Sequence, residues 1–212
     1  MIFVLDLDGT LIDSSKRHYV LMKKILEKKA PEILFDSEDF MNYKALGNSG
    51  KKYLISKLGL SQELSDEIME EWRSNIENEE YMAMDELYPD TIQFLDALTR
   101  KGYPIIFLTA RNNRKNTIKQ LENLNISGYA DMVYVVSPNR ATEEKIEIIM
   151  TYLEIGKEPI IVGDTENEYD TAYAAGINYF ILNRGFRSKE YWNKRDVITL
   201  DDLKTLSDII SR

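Results

Sequence analysis

The chain has 212 residues, no cysteine and a formal net charge of −9; 43% of its residues are hydrophobic and 30% are charged. This length suits one large domain or one domain with a smaller insert. The lack of cysteine excludes disulfides, thiolate metal sites and a cysteine nucleophile. The acidic balance argues against a nucleic-acid partner. With no apolar leader and no run of about 18 apolar residues, the sequence predicts a cytoplasmic protein without a membrane partner.

The first predicted element is a buried strand that ends in two acids, within IFVLDLDGTLIDS at residues 2–14. Side chains alternate across a strand, so Asp6 and Asp8 project to the same side. Two such carboxylates repel each other unless a cation lies between them. Taken alone, the stretch fits equally well a strand that simply ends in an Asp8–Gly9 turn.

Residues 15–83 follow with helical patterns and no convincing strand. Apolar residues recur at helical spacing in KRHYVLMKKILEKK, SEDFMNYKAL, GKKYLISKLGL and SQELSDEIMEEWRSNIENEEYMAM. These segments predict an all-helical insert placed directly after the first strand. The single histidine, His18, lies in a polar, basic stretch and is predicted to be a surface residue of the first of these helices.

From residue 88 onward, predicted helices alternate with predicted strands. The helices are expected in 88–102, 112–125, 142–155, 166–176 and 200–211, and the strands between them are YPIIFLTA, DMVYVVS, PIIVGD and NYFIL. Continuous apolar strands separated by helices of ten or more residues indicate a parallel sheet covered on both faces. The sequence therefore predicts an α/β fold, a doubly wound parallel sheet with an inserted all-helical unit.

Ligands bind at the carboxyl ends of the strands in a sheet of this kind. The rule groups Asp6 and Asp8 with Thr109, Asp164 and Lys145, which lies on a predicted helix. Each residue has a structural explanation when it is taken singly, as a helix cap or a solvated lysine. Together they supply an acid pair, a hydroxyl, a lysine and a further acid at one edge, which favours a common site.

The order of these motifs resembles that of the haloacid dehalogenase-like hydrolase superfamily: DLDGT, a strand ending in Thr, a Lys and then GDTENE. The resemblance covers essentially the whole chain, and GDTENEYDTAYAAGI is similar to the phosphoglycolate phosphatase-like branch. It implies a Rossmann-like core of residues 1–14 and 84–212 with a helical cap of residues 15–83. It also implies magnesium-dependent hydrolysis of a small phosphorylated metabolite through an aspartyl-phosphate intermediate.

The resemblance assigns roles to individual residues. Asp6 would be the nucleophile, and Asp8 would protonate the leaving oxygen and then activate water. Thr109 and Lys145 would hold the phosphoryl oxygens, with Ala110 beside the threonine. In this branch of the family an asparagine is commoner after that threonine, whereas this chain has TAR. Arg111 is predicted either to cap a loop or to contact a substrate anion.

The same resemblance implies a Mg²⁺ site. Asp6, Asp164 and the backbone carbonyl of Asp8 would be ligands, as oxygen donors suit this ion. The family's acidic motif usually has a second aspartate where this chain has Glu168, whose side chain is one methylene longer. Glu168 is predicted to be a further Mg²⁺ ligand. Asp170 is a fallback that is expected to face solvent.

A loop in the predicted cap, GNSGKK, offers two glycines between helices. The residues Gly47, Asn48, Ser49, Gly50 and Lys51 are predicted to form a specificity loop that faces the site, where Lys51 or Lys52 attracts an anionic group of the substrate. The alternative is an interhelical turn with two solvated lysines.

Other functions share parts of this motif pattern. The dehalogenase branch lacks the second acid that Asp8 supplies, and ion pumps with a similar motif need membrane helices. A sugar-phosphate mutase would use the same core residues and stays open. A phosphate-accepting regulatory receiver has a different residue order and no insert, and a silent binding protein would have lost Asp6 or Asp8. Neither the substrate nor the oligomeric state can be predicted.

Overall fold

A computed structural model describes residues 1–210. The strands are β1 Ile2–Leu5, β2 Ile12–Asp13, β3 Glu86–Leu87, β4 Ile105–Ala110, β5 Met132–Val136, β6 Pro159–Gly163, β7 Asn178–Leu182 and β8 Thr199–Leu200. The helices are α1 Ser15–Lys29, α2 Ser37–Ala45, α3 Gly50–Ser56, α4 Gln62–Asn75, α5 Glu79–Met82, α6 Thr91–Arg100, α7 Arg114–Asn123, α8 Ala141–Glu154, α9 Glu166–Ala175, α10 Lys189–Asn193 and α11 Leu203–Ile210. The predicted closing helix includes Ser211, which lies outside the described residues.

The main sheet has six strands in the order β5-β4-β1-β6-β7-β8. Every neighbouring pair is parallel, and β1 lies between β4 and β6, with Phe3 paired to Ile105 on one side and Ile160 on the other. The predicted doubly wound α/β fold is confirmed. Because β1 is central, its carboxyl end lies between the carboxyl ends of β4 and β6.

The sheet is buried on both faces because alternate residues of β1 enter different hydrophobic clusters. Phe3 and Leu5 pack with α6, α7 and α11, whereas Ile2 and Val4 pack with α8 and α9. Burying an aliphatic or aromatic side chain of this size stabilises a fold by about 1.5–3 kcal/mol. The apolar strands predicted from the sequence therefore form a central layer between two helical layers.

Helices α1–α5 have a hydrophobic cluster of their own. Leu21, Ile25, Phe40, Tyr53 and Ile68 are buried within it. A short antiparallel pair, β2 with β3, joins the chain that enters these helices to the chain that leaves them. In the described part of the chain, no strand lies between residues 15 and 83, as predicted. We refer to this segment as the helical insert.

The insert differs from the prediction at its end. The sequence predicts helix through 61–84, but α4 ends at Asn75 and α5 begins at Glu79. The carboxylate of Glu77 accepts hydrogen bonds from the backbone N–H groups of Asn112, at 2.9 Å, and Asn113, at 2.5 Å. The helix is interrupted because this residue binds the loop after β4.

Candidate active site

The carboxyl ends of three adjacent strands bring the predicted site residues to one edge of the sheet. Asp6 follows β1, and its backbone N–H donates to Val162 of β6 at 3.0 Å. Thr109 is buried in β4, and Asp164 is buried directly after β6. The local cause is the parallel register, which aligns the ends of β1, β4 and β6.

Lys145 reaches this edge from α8. Its side chain is 1% exposed, and its Nζ donates to Asp6 Oδ1 at 3.1 Å and to Glu168 Oε1. The other Glu168 oxygen accepts from the backbone N–H of Thr165 at 3.2 Å, as part of the capping box that begins α9, and also from Thr165 Oγ1 at 2.7 Å. The cap of α9 thus fixes Glu168, and Glu168 orients Lys145 toward Asp6.

The backbone of two loops packs closely around the carboxylate of Asp164. The N–H of Phe186 donates to its Oδ2 at 2.5 Å, and Thr10 Oγ1 lies 3.5 Å from its Oδ1. A Cβ atom at Gly9 or Gly185 would lie 2.2 or 2.1 Å from Asp164 Oδ2. Gly9 also has a φ of 77°, which side chains disfavour. Glycine at both positions leaves room for the Asp164 carboxylate.

Asp6, Asp164 and Glu168 form a buried carboxylate triad, and one oxygen from each residue lies within 4.8 Å of the other two. Burial raises the pKa of Asp6 to about 7, although Lys145 opposes the rise. Burial, followed by the charges of Asp6 and Glu168, raises the pKa of Asp164 well above its ordinary value. An all-oxygen donor set with excess negative charge fits Mg²⁺. Asp170 is exposed on α9, outside the triad.

Asp8 is held by two arginines. Arg111 donates from Nε to Asp8 Oδ2 and from Nη2 to Oδ1, both at 2.8 Å, and Arg17 Nη2 donates to Oδ1 at 2.5 Å. Burial raises the pKa of this carboxyl, but the guanidinium groups of Arg111 and Arg17 outweigh burial and hold it well below its usual range. Asp8 is therefore ionised in this arrangement, with both oxygens occupied.

The two arginines belong to a closed ring of side chains. Arg111 Nη1 donates to Gln120 Oε1 at 2.8 Å, and Gln120 Nε2 donates to Asp85 Oδ2 at 2.7 Å. Arg17 Nε lies 3.5 Å from the same Asp85 oxygen. Burial raises the pKa of Asp85 to about 7, against the opposing charge of Arg17. The ring connects α1 and the linker after the insert with α7 and the ends of β1 and β4.

Three members of this ring are absent from the sequence-based prediction. Arg17, Asp85 and Gln120 belong to no recognisable sequence motif. The one available signal was for Arg17, which lies near the start of the helix that follows the acid pair. For Arg111, the sequence left a loop cap or a substrate contact open. The structure pairs its guanidinium with Asp8, and both alternatives stay predictions.

The prediction that His18 is a surface residue is wrong. Its ring packs against Trp72 and Phe186, with centroids 5.2 and 4.6 Å away, and its Nδ1 lies 3.0 Å from Lys44 Nζ. Burial, followed by the charges of Lys44 and Arg17, lowers the pKa of His18 well below its ordinary value. The residue is half-buried because α1 packs against the loop that also binds Asp164.

A cavity of about 420 Å³ opens beside Asp8, between the insert and the sheet edge. The core lines it with Asp8, Ala110 and Arg111, and the insert lines it with residues that include Arg17 and Trp72. The residue predicted beside the phosphate, Ala110, thus faces the same space as the acid. The cavity offers room for a small molecule next to the acidic edge.

The predicted specificity loop consists of Gly47, Asn48, Ser49, Gly50 and Lys51. The structure places Gly47 against Tyr191 with a φ of 85°, and it places Ser49 as the cap of α3. Lys51 forms an ion pair with Asp66 at 2.6 Å. These contacts lie within the insert and toward α10, and the role of the loop in substrate selection stays a prediction.

The sequence is similar to those of known hydrolases. A sequence model described as haloacid dehalogenase-like hydrolase matches residues 2–182. A phosphoglycolate phosphatase of Aquifex aeolicus is 29% identical over 182 residues, covering 82% of this chain and 81% of that protein. The chain belongs to the haloacid dehalogenase-like hydrolase family and is an enzyme of that hydrolase class.

Solved structures agree with the fold. A Clostridium difficile protein described as a candidate phosphatase has a TM-score of 0.80 at 18% identity, covering 98% of this chain and 97% of that chain. A haloacid dehalogenase-like family hydrolase of Streptococcus pneumoniae has a TM-score of 0.76 at 21% identity, with 98% and 97% coverage. At these identities the similarity concerns the fold alone. Among residues 1–210, no helix is both long and apolar enough to cross a membrane.

Proposed function

We propose that this enzyme is a magnesium-dependent phosphomonoesterase that hydrolyses a small phosphorylated metabolite through an aspartyl phosphate on Asp6. The observation that carries the proposal is the carboxylate of Asp6, within reach of Lys145 and of two further buried carboxylates. Family membership and the phosphatase name of the Aquifex relative support the phosphatase class.

Two displacement steps account for the chemistry. In the first, a carboxylate oxygen of Asp6 attacks phosphorus and the bond from phosphorus to the leaving oxygen breaks. Asp8, once it has parted from the arginines and taken up a proton from water, passes that proton to the leaving oxygen. In the second, water attacks the phosphorus of the aspartyl phosphate while Asp8 accepts its proton. Phosphate leaves and Asp6 is regenerated.

The neighbouring groups offset charge and fix position. Lys145 neutralises phosphoryl oxygens and Thr109 donates its hydroxyl to them, which suits a reaction that depends chiefly on positioning and electrostatics. Mg²⁺ would be held by Asp6, Asp164 and the backbone carbonyl of Asp8, with Glu168 alongside, and would supply positive charge next to the transferred group.

The helical insert, residues 15–83, would act as a cap over the core formed by residues 1–14 and 84–212. The cavity beside Asp8 lies between the two, so closure of the insert would exclude water from the reacting groups. The binding partner is then a small phosphorylated molecule. The proposed location is the cytoplasm.

The test uses purified protein and a panel of phosphorylated metabolites together with p-nitrophenyl phosphate. Phosphate release should cease in EDTA and return with excess Mg²⁺. Mg²⁺ should also raise the melting temperature of the wild type but not that of Asp164→Asn, with Asp170→Asn as the matched control. Full turnover in metal-free buffer would contradict the proposal.

A further inference from the structure

A second cavity, of about 420 Å³, lies between the end of the helical insert and α7. Its lining includes Met82, Ala83, Asp85, Lys119, Gln120 and Leu124. Within residues 1–210, it shares no lining residue with the cavity beside Asp8. We refer to it as the rear cavity, and the proposed reaction makes no use of it.

The ring of side chains around Asp8 borders both cavities. Asp8, Arg17 and Arg111 line the first cavity, whereas Asp85 and Gln120 line the rear cavity. Gln120 accepts a hydrogen bond from Arg111 at 2.8 Å and donates one to Asp85 at 2.7 Å. Arg17 Nε lies 3.5 Å from the same Asp85 oxygen. One side chain, that of Arg17, therefore separates the carboxylate in the rear cavity from the carboxylate of Asp8.

Asp85 brings an unused hydrogen-bond acceptor to the rear cavity. Its side chain is 0% exposed, and its Oδ2 is the oxygen that Gln120 and Arg17 share. Within the described part of the chain, its Oδ1 has no hydrogen-bond partner. A buried acceptor without a donor costs free energy, so a ligand that donates to Oδ1 gains more there than at a solvated carboxylate.

The charges around this acceptor favour a cationic ligand. Burial raises the pKa of Asp85 to about 7 against the opposing charge of Arg17, so the carboxylate is more ionised than neutral at pH 7.5. The guanidinium of Arg17 also compensates Asp8, to which its Nη2 donates at 2.5 Å. At the exposed rim, Lys119 and Glu79 form an ion pair at 2.5 Å and neutralise each other. The rear cavity thus holds a negative charge that is only partly compensated.

The apolar part of the lining indicates the body of the ligand. Met82 is buried and Leu124 is half-buried, and both side chains suit contact with an aliphatic chain. A volume of about 420 Å³ is within the range of small-molecule sites. A protonated primary amine combines such a chain with positive charge and N–H donors.

We propose that the rear cavity binds a small alkylammonium ion, with its N–H groups on Asp85 and its chain against Met82 and Leu124, and that this ligand slows turnover. The added positive charge stabilises ionised Asp8 on the arginines. The proposed reaction requires Asp8 to part from them and take up a proton, so the ligand opposes this step. Binding itself is independent of the proposed function, and only the effect on rate rests on it.

Backbone amide NMR of the full-length protein at pH 7.5 and constant ionic strength tests the binding. n-Butylamine, which is protonated at this pH, should give saturable shifts in residues 82–85 and 119–124, with a Kd on the order of 1–10 mM. n-Butanol has the chain without the charge, and tetramethylammonium has the charge without N–H donors. Each should bind about 10-fold more weakly or less. Equal affinity for all three, or no saturable shift from butylamine in these segments, would overturn the site.

Variants assign the contacts. Asp85→Asn keeps the shape of the side chain but loses its charge, so it should weaken butylamine binding by about 10-fold or more. Glu86→Gln, on the exposed carboxylate next along the chain, is the matched control and should keep the wild-type Kd. Ala83→Leu fills the rear cavity from an exposed position and should also weaken binding; it decides the matter if thermal melting shows that Asp85→Asn is not folded. Wild-type affinity in a folded Asp85→Asn or Ala83→Leu would overturn the site.

Steady-state kinetics tests the effect on rate. Saturating butylamine should lower the wild-type kcat for an alkyl phosphate by about 5-fold with little change in KM. The effect should be smaller for p-nitrophenyl phosphate, whose leaving group departs without protonation, and it should disappear in Ala83→Leu. A raised KM at constant kcat, or equal inhibition of Ala83→Leu, would place the amine beside Asp8 and overturn the proposal.

The two proposals fail in different ways. Saturated binding in the rear cavity with an unchanged kcat would overturn the regulatory role and leave the phosphatase intact. A protein that hydrolyses no phosphate ester would overturn the proposed function, and the NMR titrations would then decide on the rear cavity by themselves.

Discussion

Gln120 donates a hydrogen bond to Asp85 at 2.7 Å, and this bond joins a core helix to the linker by which the chain leaves the helical insert. Gln120 Nε2 also donates to the carbonyl oxygen of Met82, at 3.0 Å. Asp85 in turn lies 3.5 Å from Arg17, which is near the start of the insert. One amide side chain thus links both connections of the insert to the residues around Asp8.

We predict that Asp85→Asn changes the pH dependence of stability. The pKa of Asp85 is raised to about 7 in the folded protein from an ordinary value of 3.8. The stability that its protonated form contributes is complete below pH 3.8 and is lost as the pH rises through about 7. The wild type should therefore lose unfolding free energy between pH 4 and 8, whereas the variant should not. The difference in unfolding free energy, variant minus wild type, should rise by on the order of 1–3 kcal/mol over this range.

Urea unfolding at several pH values measures this effect. Glu86→Gln, which changes the exposed carboxylate next along the chain, is the matched control and should leave the wild-type pH dependence in place. A constant difference in unfolding free energy between Asp85→Asn and wild type across this range would contradict the assigned pKa shift.

Asp8→Asn should lower kcat/KM for alkyl phosphates by about 10²–10⁴-fold, because the amide keeps the backbone carbonyl but cannot transfer a proton. The loss should be smaller for p-nitrophenyl phosphate, whose leaving group departs without protonation. Steady-state kinetics on both esters provides the comparison. Wild-type rates on alkyl phosphates would show that Asp8 is not the acid.

Glu168→Gln should raise the Mg²⁺ concentration needed for the half-maximal rate. The variant loses one carboxylate of the buried triad and weakens the partner that orients Lys145. Asp170→Asn, two residues further on and exposed, should change little. The measurement is the rate of each variant as a function of Mg²⁺ concentration. If Asp170→Asn raised the half-maximal concentration and Glu168→Gln did not, Asp170 would be the metal ligand.

The specificity loop requires a separate experiment. If it faces the site when the insert closes, replacing Lys51 and Lys52 by Ala should reduce kcat/KM for the best metabolite much more than for p-nitrophenyl phosphate. The pairing of Lys51 with Asp66 and of Lys52 with Asn48 favours the alternative, an interhelical turn. Similar effects on both substrates would establish that alternative.

Much of this architecture could be predicted from the chain alone. Apolar strands such as IIFLTA and PIIVG alternate with amphipathic helices, and this pattern determines a parallel sheet. Once the sheet is known, the strand-end rule brings Asp6, Thr109 and Asp164 together. Spacing and helix context predict Lys145 for this edge, and its position follows from α8, the helix that leads to β6.

The rest depends on contacts that no local pattern encodes. Arg17 and Asp85 meet because the insert leaves and rejoins the core at one place, where β2 pairs with β3. His18 lies in a polar sequence, yet it is half-buried because Phe186 arrives from a distant loop. The short elements α10 and β8 carry too few residues for a periodic signal.

The most direct measurement of the central claim is to trap the covalent intermediate. Wild-type enzyme mixed with a ³²P-labelled substrate and Mg²⁺ and quenched in acid within milliseconds should carry the label as an acyl phosphate that hydroxylamine releases. Peptide mapping should locate it at Asp6, and Asp6→Asn should show neither label nor turnover while it keeps the wild-type fold. Steady turnover without a trapped label, together with full activity in Asp6→Asn, would contradict the account.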